Sequence, residues 1–207
     1  AAVAATVTAA GDDYAFGVSG RQRAHDSEVT DLCFVHGRAG PGRDVPVLLS
    51  ACCAGQVYCY PGACDPQRQF SLEGPVLAFT NVHDCPIFSM ASTEISARGR
   101  VFRVVCTGDR DGNIRLWLPR DDDLPGGSGH TFRHVQSYKS SVPQATGYHL
   151  VMRTAFVQGD LLVTGTNRGD VRFWRLQCAG EPAHGAGKGP LPTLALRYDL
   201  AGVHDGA

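Results

Sequence analysis

Net charge is the first thing this sequence lacks. Its 19 Lys plus Arg stand against 20 Asp plus Glu in 207 residues, a formal net charge of -1. A chain devoted to nucleic acid or to an anionic membrane surface usually shows a basic excess, and there is none here. No apolar run reaches the length needed to cross a bilayer as a helix. The opening AAVAATVTAA has no basic residue ahead of its small apolar ones, so it does not read as a secretory signal. The first residue is Ala1 rather than Met, as expected of a processed chain or an excerpt of a longer one. These absences together lead to the expectation of a soluble, intracellular protein, cytoplasmic or nuclear, with no membrane partner.

Motifs of catalysis and metal binding are missing too. The eight cysteines, at 33, 52, 53, 59, 64, 85, 106 and 178, contain no C-x-x-C pair, the short ligand pair on which a tetrahedral zinc site is normally built. Cys33, Cys52, Cys59 and Cys106 lie in apolar runs, where a reduced thiol behaves as a small hydrophobe. The glycine-rich GEPAHGAGKGP fails the phosphate-loop spacing, because Lys188 is followed by Gly189 rather than Ser or Thr. There is no G-x-S-x-G elbow, and the eight histidines are scattered. No catalytic residue, metal ligand or cofactor is assigned.

Helical periodicity is also scarce. Short apolar runs broken by Gly, Pro, Asn and Asp dominate, which is the pattern of many short strands. Within that pattern lies a repeat. CTGDRDGNIRLW, ending at Trp117, has two companions: SACCAGQVYCY, ending at Tyr60, and TGTNRGDVRFW, ending at Trp174. Ser50, Thr107 and Thr164 coincide, as do Val57, Ile114 and Val171, and each step is 57 residues. Every copy reads as a strand, a tight turn with Gly55, Gly112 or Gly169, and a second strand. In the middle copy Ile114 and Leu116 point to one face and Arg115 and Trp117 to the other, so both faces call for cover. Upstream strand candidates are VTDLCF from Val29, IFSMAS from Ile87 and VMRTAF from Val151. Downstream ones lie near Phe70, Phe132 and Leu196. Four strands per unit with no intervening helix is the composition of a propeller blade.

At these residues the chain resembles the WD40 repeat family. The resemblance implies an all-β, WD40-like β-propeller with three recognisable four-stranded blades plus partial blades at both ends. Residues 1–23 are then a linker and the last strand of a preceding blade. Residues 24–82, 83–146 and 147–202 are three repeats, and 203–207 begins another. It also implies a structural tetrad in the middle repeat: His83, Thr107, Asp111 and Trp117. The first copy keeps His25 and Ser50 but has Ala54 at the acid's position and Tyr60 for Trp. The third keeps Thr164 and Trp174, with Arg168 at the acid's position and Gly147 where His is expected. Three blades are fewer than the ~4–8 with which propellers close, so the rest is expected from the same longer chain or from a partner subunit.

The acidic turn DRDGN also invites a calcium reading, but it lacks the regularly spaced oxygen ligands and the distal Glu of an EF-hand loop. By the resemblance, residues just before the acid's position meet partners: Cys53, Arg110 and Asn167, with Arg168 beside them. The expected function is a non-enzymatic protein–protein interaction scaffold, a subunit of a multiprotein assembly. The alternative is a ribonucleoprotein component whose Arg-rich rim contacts RNA. Third comes a propeller enzyme with a central-channel site, for which the inner strands offer Asp31 and Arg153.

Overall fold

A computed structural model describes residues 24–38, 44–60, 76–77, 83–97, 99–119, 132–139, 150–178 and 191–200. Twelve strands and no helix occur among them. They are β1 (Val29–Arg38), β2 (Asp44–Cys52), β3 (Val57–Tyr60), β4 (Val76–Leu77), β5 (Ile87–Ala97), β6 (Arg100–Asp109), β7 (Asn113–Pro119), β8 (Phe132–Lys139), β9 (Val151–Val157), β10 (Leu161–Thr166), β11 (Val171–Cys178) and β12 (Pro192–Leu200). Among the described residues no helix is therefore long and apolar enough to cross a membrane.

The strands form three separate four-stranded antiparallel sheets in simple sequential order: β1–β4, β5–β8 and β9–β12. Each sheet lies within one of the spans 24–82, 83–146 and 147–202. The short fourth strand of the first sheet is Val76–Leu77; the candidate near Phe70 lies outside the described residues. So do the partial repeats expected at 1–23 and 203–207. No closed ring is formed among the described residues.

The three sheets share one register. Val29 pairs with Cys52, Ile87 with Asp109 and Val151 with Thr166, and in each case a bulge follows directly. The hairpin turns are alike as well. Gly55, Gly112 and Gly169 have φ of +74°, +75° and +79°, a left-handed conformation that costs other residues steric strain.

Apolar side chains on alternate positions bury the sheets against one another. One core joins Val47, Leu49, Val57 and Cys59 of the first sheet to Ile87, Met90, Val105 and Trp117 of the second. The other joins Val104, Cys106, Ile114 and Leu116 of the second to Val151, Leu162 and Trp174 of the third. The middle sheet is thus covered on both faces, as its strand alternation requires.

First strands of consecutive sheets pack side by side, β1 on β5 and β5 on β9, while the fourth strands β8 and β12 barely meet. The sheets therefore fan outward from their first strands. Polar ties fix the inner edge: the Met90 N–H donates to Asp31 Oδ2 at 2.7 Å, the Ser92 hydroxyl to the Phe34 carbonyl, and Arg153 Nη1 to the Phe88 carbonyl at 3.4 Å. Asp31 and Arg153, the two polar inner-strand candidates, serve here as ties between sheets.

Candidate functional site

The most organised polar site is buried in the middle sheet. It is built because strand alternation puts Thr107 and Asp109 of β6 on one face, opposite Trp117 of β7 and beneath His83. The Trp117 indole N–H donates to Thr107 Oγ1 at 2.9 Å, Thr107 Oγ1 lies 2.8 Å from His83 Nε2, and His83 Nδ1 lies 2.6 Å from Asp109 Oδ2. One consistent direction satisfies every atom: the indole donates to the hydroxyl, the hydroxyl to Nε2, and Nδ1–H to the carboxylate. That assignment makes His83 neutral. Burial lowers its pKa and outweighs the raising effect of Asp109, which agrees.

The acid is Asp109, not Asp111. Asp109 is completely buried and accepts four hydrogen bonds, from His83 Nδ1, the Asp111 N–H, the Asn113 N–H and Asn113 Nδ2. Burial alone would raise its pKa; the bonds from His83 and Asn113 outweigh that and hold the carboxyl below the usual range. Asp111 lies two residues further on, where the chain has left the strand and entered the turn. Its side chain is 47% exposed and pairs with Arg110 at 3.2 Å. The expected placement of the acid at Asp111 is therefore corrected by two residues.

The companion sheets carry incomplete versions. Strand register puts Cys52 and Thr166 at the position of Asp109. In the first sheet His25 Nε2 lies 2.6 Å from Ser50 Oγ, which lies 3.1 Å from the Tyr60 hydroxyl. With Cys52 in place of the acid, His25 Nδ1 is buried with no partner among the described residues. In the third sheet the Trp174 indole donates to Thr164 Oγ1 at 3.0 Å. Thr166 Oγ1 accepts the N–H groups of Arg168 and Asp170, the turn-capping half of the task of Asp109. Gly147, expected at the histidine position, lies outside the described residues.

The incomplete first-sheet network makes a prediction. Cys52→Asp supplies the acceptor that His25 Nδ1 lacks and is expected to stabilise by about 1 kcal/mol, net of the cost of burying a carboxylate. The thermal midpoint should rise by about 2–4 °C, with no rise in a Cys52→Ala control. A fall in the Cys52→Asp midpoint would show that His25 does not present Nδ1–H to this position.

An acid, a histidine and a hydroxyl in line resemble a nucleophilic triad. Thr107 is fully buried and its oxygen already accepts the Trp117 indole, so no substrate reaches it. His83, Cys85 and Asp109 also bring one metal-ligating atom each within 4.8 Å of one another. The imidazole and carboxylate are committed to each other, and the Cys85 thiol is pushed up to about 11, by burial first and then by the Asp109 charge. The donor set thus serves the fold.

The surface candidates lie together at another place. The N–H groups of Cys53, Arg110 and Asn167 donate to the carbonyls of Glu28, Pro86 and Leu150, each the residue just ahead of a first strand. The ties from β1 to β5, and from β5 to β9 and the turn after it, advance in the same direction along both strands of each pair, so all three turns lie at one end of the fan. Asn167 Oδ1 also accepts the Leu150 N–H at 2.8 Å, and Arg168 is exposed beside it. Cys53 is half-buried, 3.8 Å from a Glu28 carboxylate oxygen.

Register would have identified Asp109 from sequence, since Thr107 and Asp109 are two apart on one strand, and the same offset from Ser50 leads to Cys52. No family model matches the chain, and no curated protein matches it.

Proposed function

We propose that the three sheets are blades of a WD40-like β-propeller and that the protein is a non-enzymatic scaffold within a multiprotein assembly. The observation that carries this reading is the common end of the fan, where Cys53, Arg110, Asn167 and Arg168 form one repeated row of turn residues. Proteins are the partners it suits best, because the row mixes an amide, a thiol and two guanidinium groups, which can fork onto carboxylates. The propeller's remaining blades come from polypeptide beyond these three sheets.

The RNA alternative finds less support. Arg103 Nε donates to Glu94 at 3.0 Å, so that guanidinium on the Arg-rich rim has an acidic neighbour. The central-channel enzyme reading finds less support too, since Asp31 and Arg153 each bond to the backbone of a neighbouring sheet.

Paired charge reversal, Arg110→Glu with Arg168→Glu, tests the scaffold reading. It is expected to weaken capture of protein partners by fivefold or more, the effect of about 1–2 kcal/mol of interface energy. Quantitative pull-down from the native source, with the variant's melting curve as a folding control, provides the readout. Unchanged yield across all captured proteins would remove this end of the fan as the binding face.

A further inference from the structure

We propose that the open face of the third sheet is a docking site for the first sheet of a second copy of this chain, in a head-to-tail contact. The inference rests on the reading of the sheets as blades and adds the identity of one partner.

The joint between the second and third sheets shows what the contact needs. On the second sheet, Val104, Cys106, Ile114 and Leu116 are all fully buried beneath the third. Gly108 leaves a hole there: a Cβ at that residue would lie 2.5 Å from Val151 Cγ1. Val151, the first residue of β9 and fully buried, is the knob that fills it.

The third sheet repeats this surface. The residues 57 positions on are Leu161, Val163, Val171 and Phe173, all apolar and all only partly buried. Beside them Tyr198 is 70% and Leu200 48% exposed, on the same face, because they pair with Phe173 and Val171. Gly165 stands where Gly108 stood, and a Cβ there meets nothing within 4 Å among the described residues. Among the described residues, the third sheet therefore carries the hole of the joint with nothing in it.

The first sheet carries the knob. Val29 is the counterpart of Val151 and of Ile87, the first residue of its first strand and paired at the same register. Ile87 and Val151 are fully buried, whereas Val29 is 53% exposed. Leu32 and Phe34, at 58% and 59%, continue the exposed face on the side by which Met90 packs on the preceding sheet. One chain thus holds both unused halves of the joint it makes between its second and third sheets; at the joint between its first and second sheets Ala51 stands where Gly108 does. A contact of this kind is heterologous, and it closes when the accumulated rotation completes a circle. The described sheets of two copies number six, within the ~4–8 at which propellers close.

Light scattering with sedimentation on the whole chain, across micromolar concentrations, tests this. The expected species has twice the 22.0 kDa of the monomer. Val29→Asp removes the knob and Gly165→Val fills the hole; each alone is expected to weaken association at least tenfold. An equimolar mixture of the two variants keeps one intact knob and one intact hole, and is expected to associate one to one. Circular dichroism checks that each variant folds, and if Val29→Asp does not, Gly165→Val decides.

A monomeric wild type, aggregates of no defined mass, undiminished association in both variants, or a mixture that stays monomeric would each overturn the second copy as occupant. A wild-type monomer with buried tryptophan fluorescence overturns the second copy alone. Solvent-exposed emission from Trp117 and Trp174 overturns the stacking of sheets, and with it the reading as blades.

Discussion

Asp109→Ala is expected to destabilise the protein by about 3–5 kcal/mol, a large share of what a domain of this size has to lose. The substitution leaves the Nδ1–H of His83 and the N–H groups of Asp111 and Asn113 without the carboxylate that accepts them. The His83 donor is completely buried, and an unmet buried donor costs about 1–3 kcal/mol. The damage reaches further than one sheet, because His83 also holds Thr107 and, through it, the Trp117 indole in the core shared with the first sheet. Asp111→Ala is the matched control. Its side chain forms only a half-exposed pair with Arg110, so the expected change is within about 0.5 kcal/mol. Urea denaturation of both variants measures the difference directly. Equal midpoints for the two would return the acid's role to Asp111.

Gly55→Ala is expected to cost about 3 kcal/mol or more, from two effects that add. The residue has φ +74°, where a Cβ is strained by roughly 1 kcal/mol. The Cβ would also collide with the His83 carbonyl oxygen and lie 2.9 Å from that of Cys85. Backbone cannot swing aside as a flexible side chain can, and overpacking of a rigid site typically costs about 1–3 kcal/mol. The hairpin of the first sheet is therefore wedged under the segment that delivers His83 to the second. Gly99→Ala separates the two effects: φ there is +73°, yet a Cβ meets nothing within 4 Å among the described residues. About 1 kcal/mol is expected at Gly99. Losses of similar size at both glycines would mean that the first hairpin does not press on residues 83–85.

These two predictions mark the boundary of what could be read from the chain itself. Strand and turn placement follows local rules, so alternation around Ile114 and Trp117 and glycine at residues 55, 112 and 169 foretold three hairpins with matching geometry. The choice between Asp109 and Asp111 was harder, because TGDRDG offers two acids around one turn. Only the pleat decides it: Thr107 and Asp109 share a face of β6, while Asp111 lies past the strand's end. The collision at Gly55 and the hole at Gly108 were not legible at all. Each depends on backbone or side chain from the neighbouring sheet, 28 residues away for His83 and 43 for Val151, and nothing in either local sequence reports the approach. Cys52 reads as core, a thiol in an apolar strand, until the repeat is aligned and places it at the position of Asp109.

The acidic turn of the middle sheet is an internal fastening whose Asp109 carboxylate faces inward. Nitrogen-15 NMR of the His83 ring tests that most directly. The hydrogen-bond order requires a neutral imidazole with its proton on Nδ1 and none on Nε2. Because burial lowers the pKa of His83, that state is expected to persist when pH falls below the ordinary histidine value of 6.5. A proton on Nε2, or a ring already charged near neutral pH, would contradict the network and the structural role of Asp109 with it.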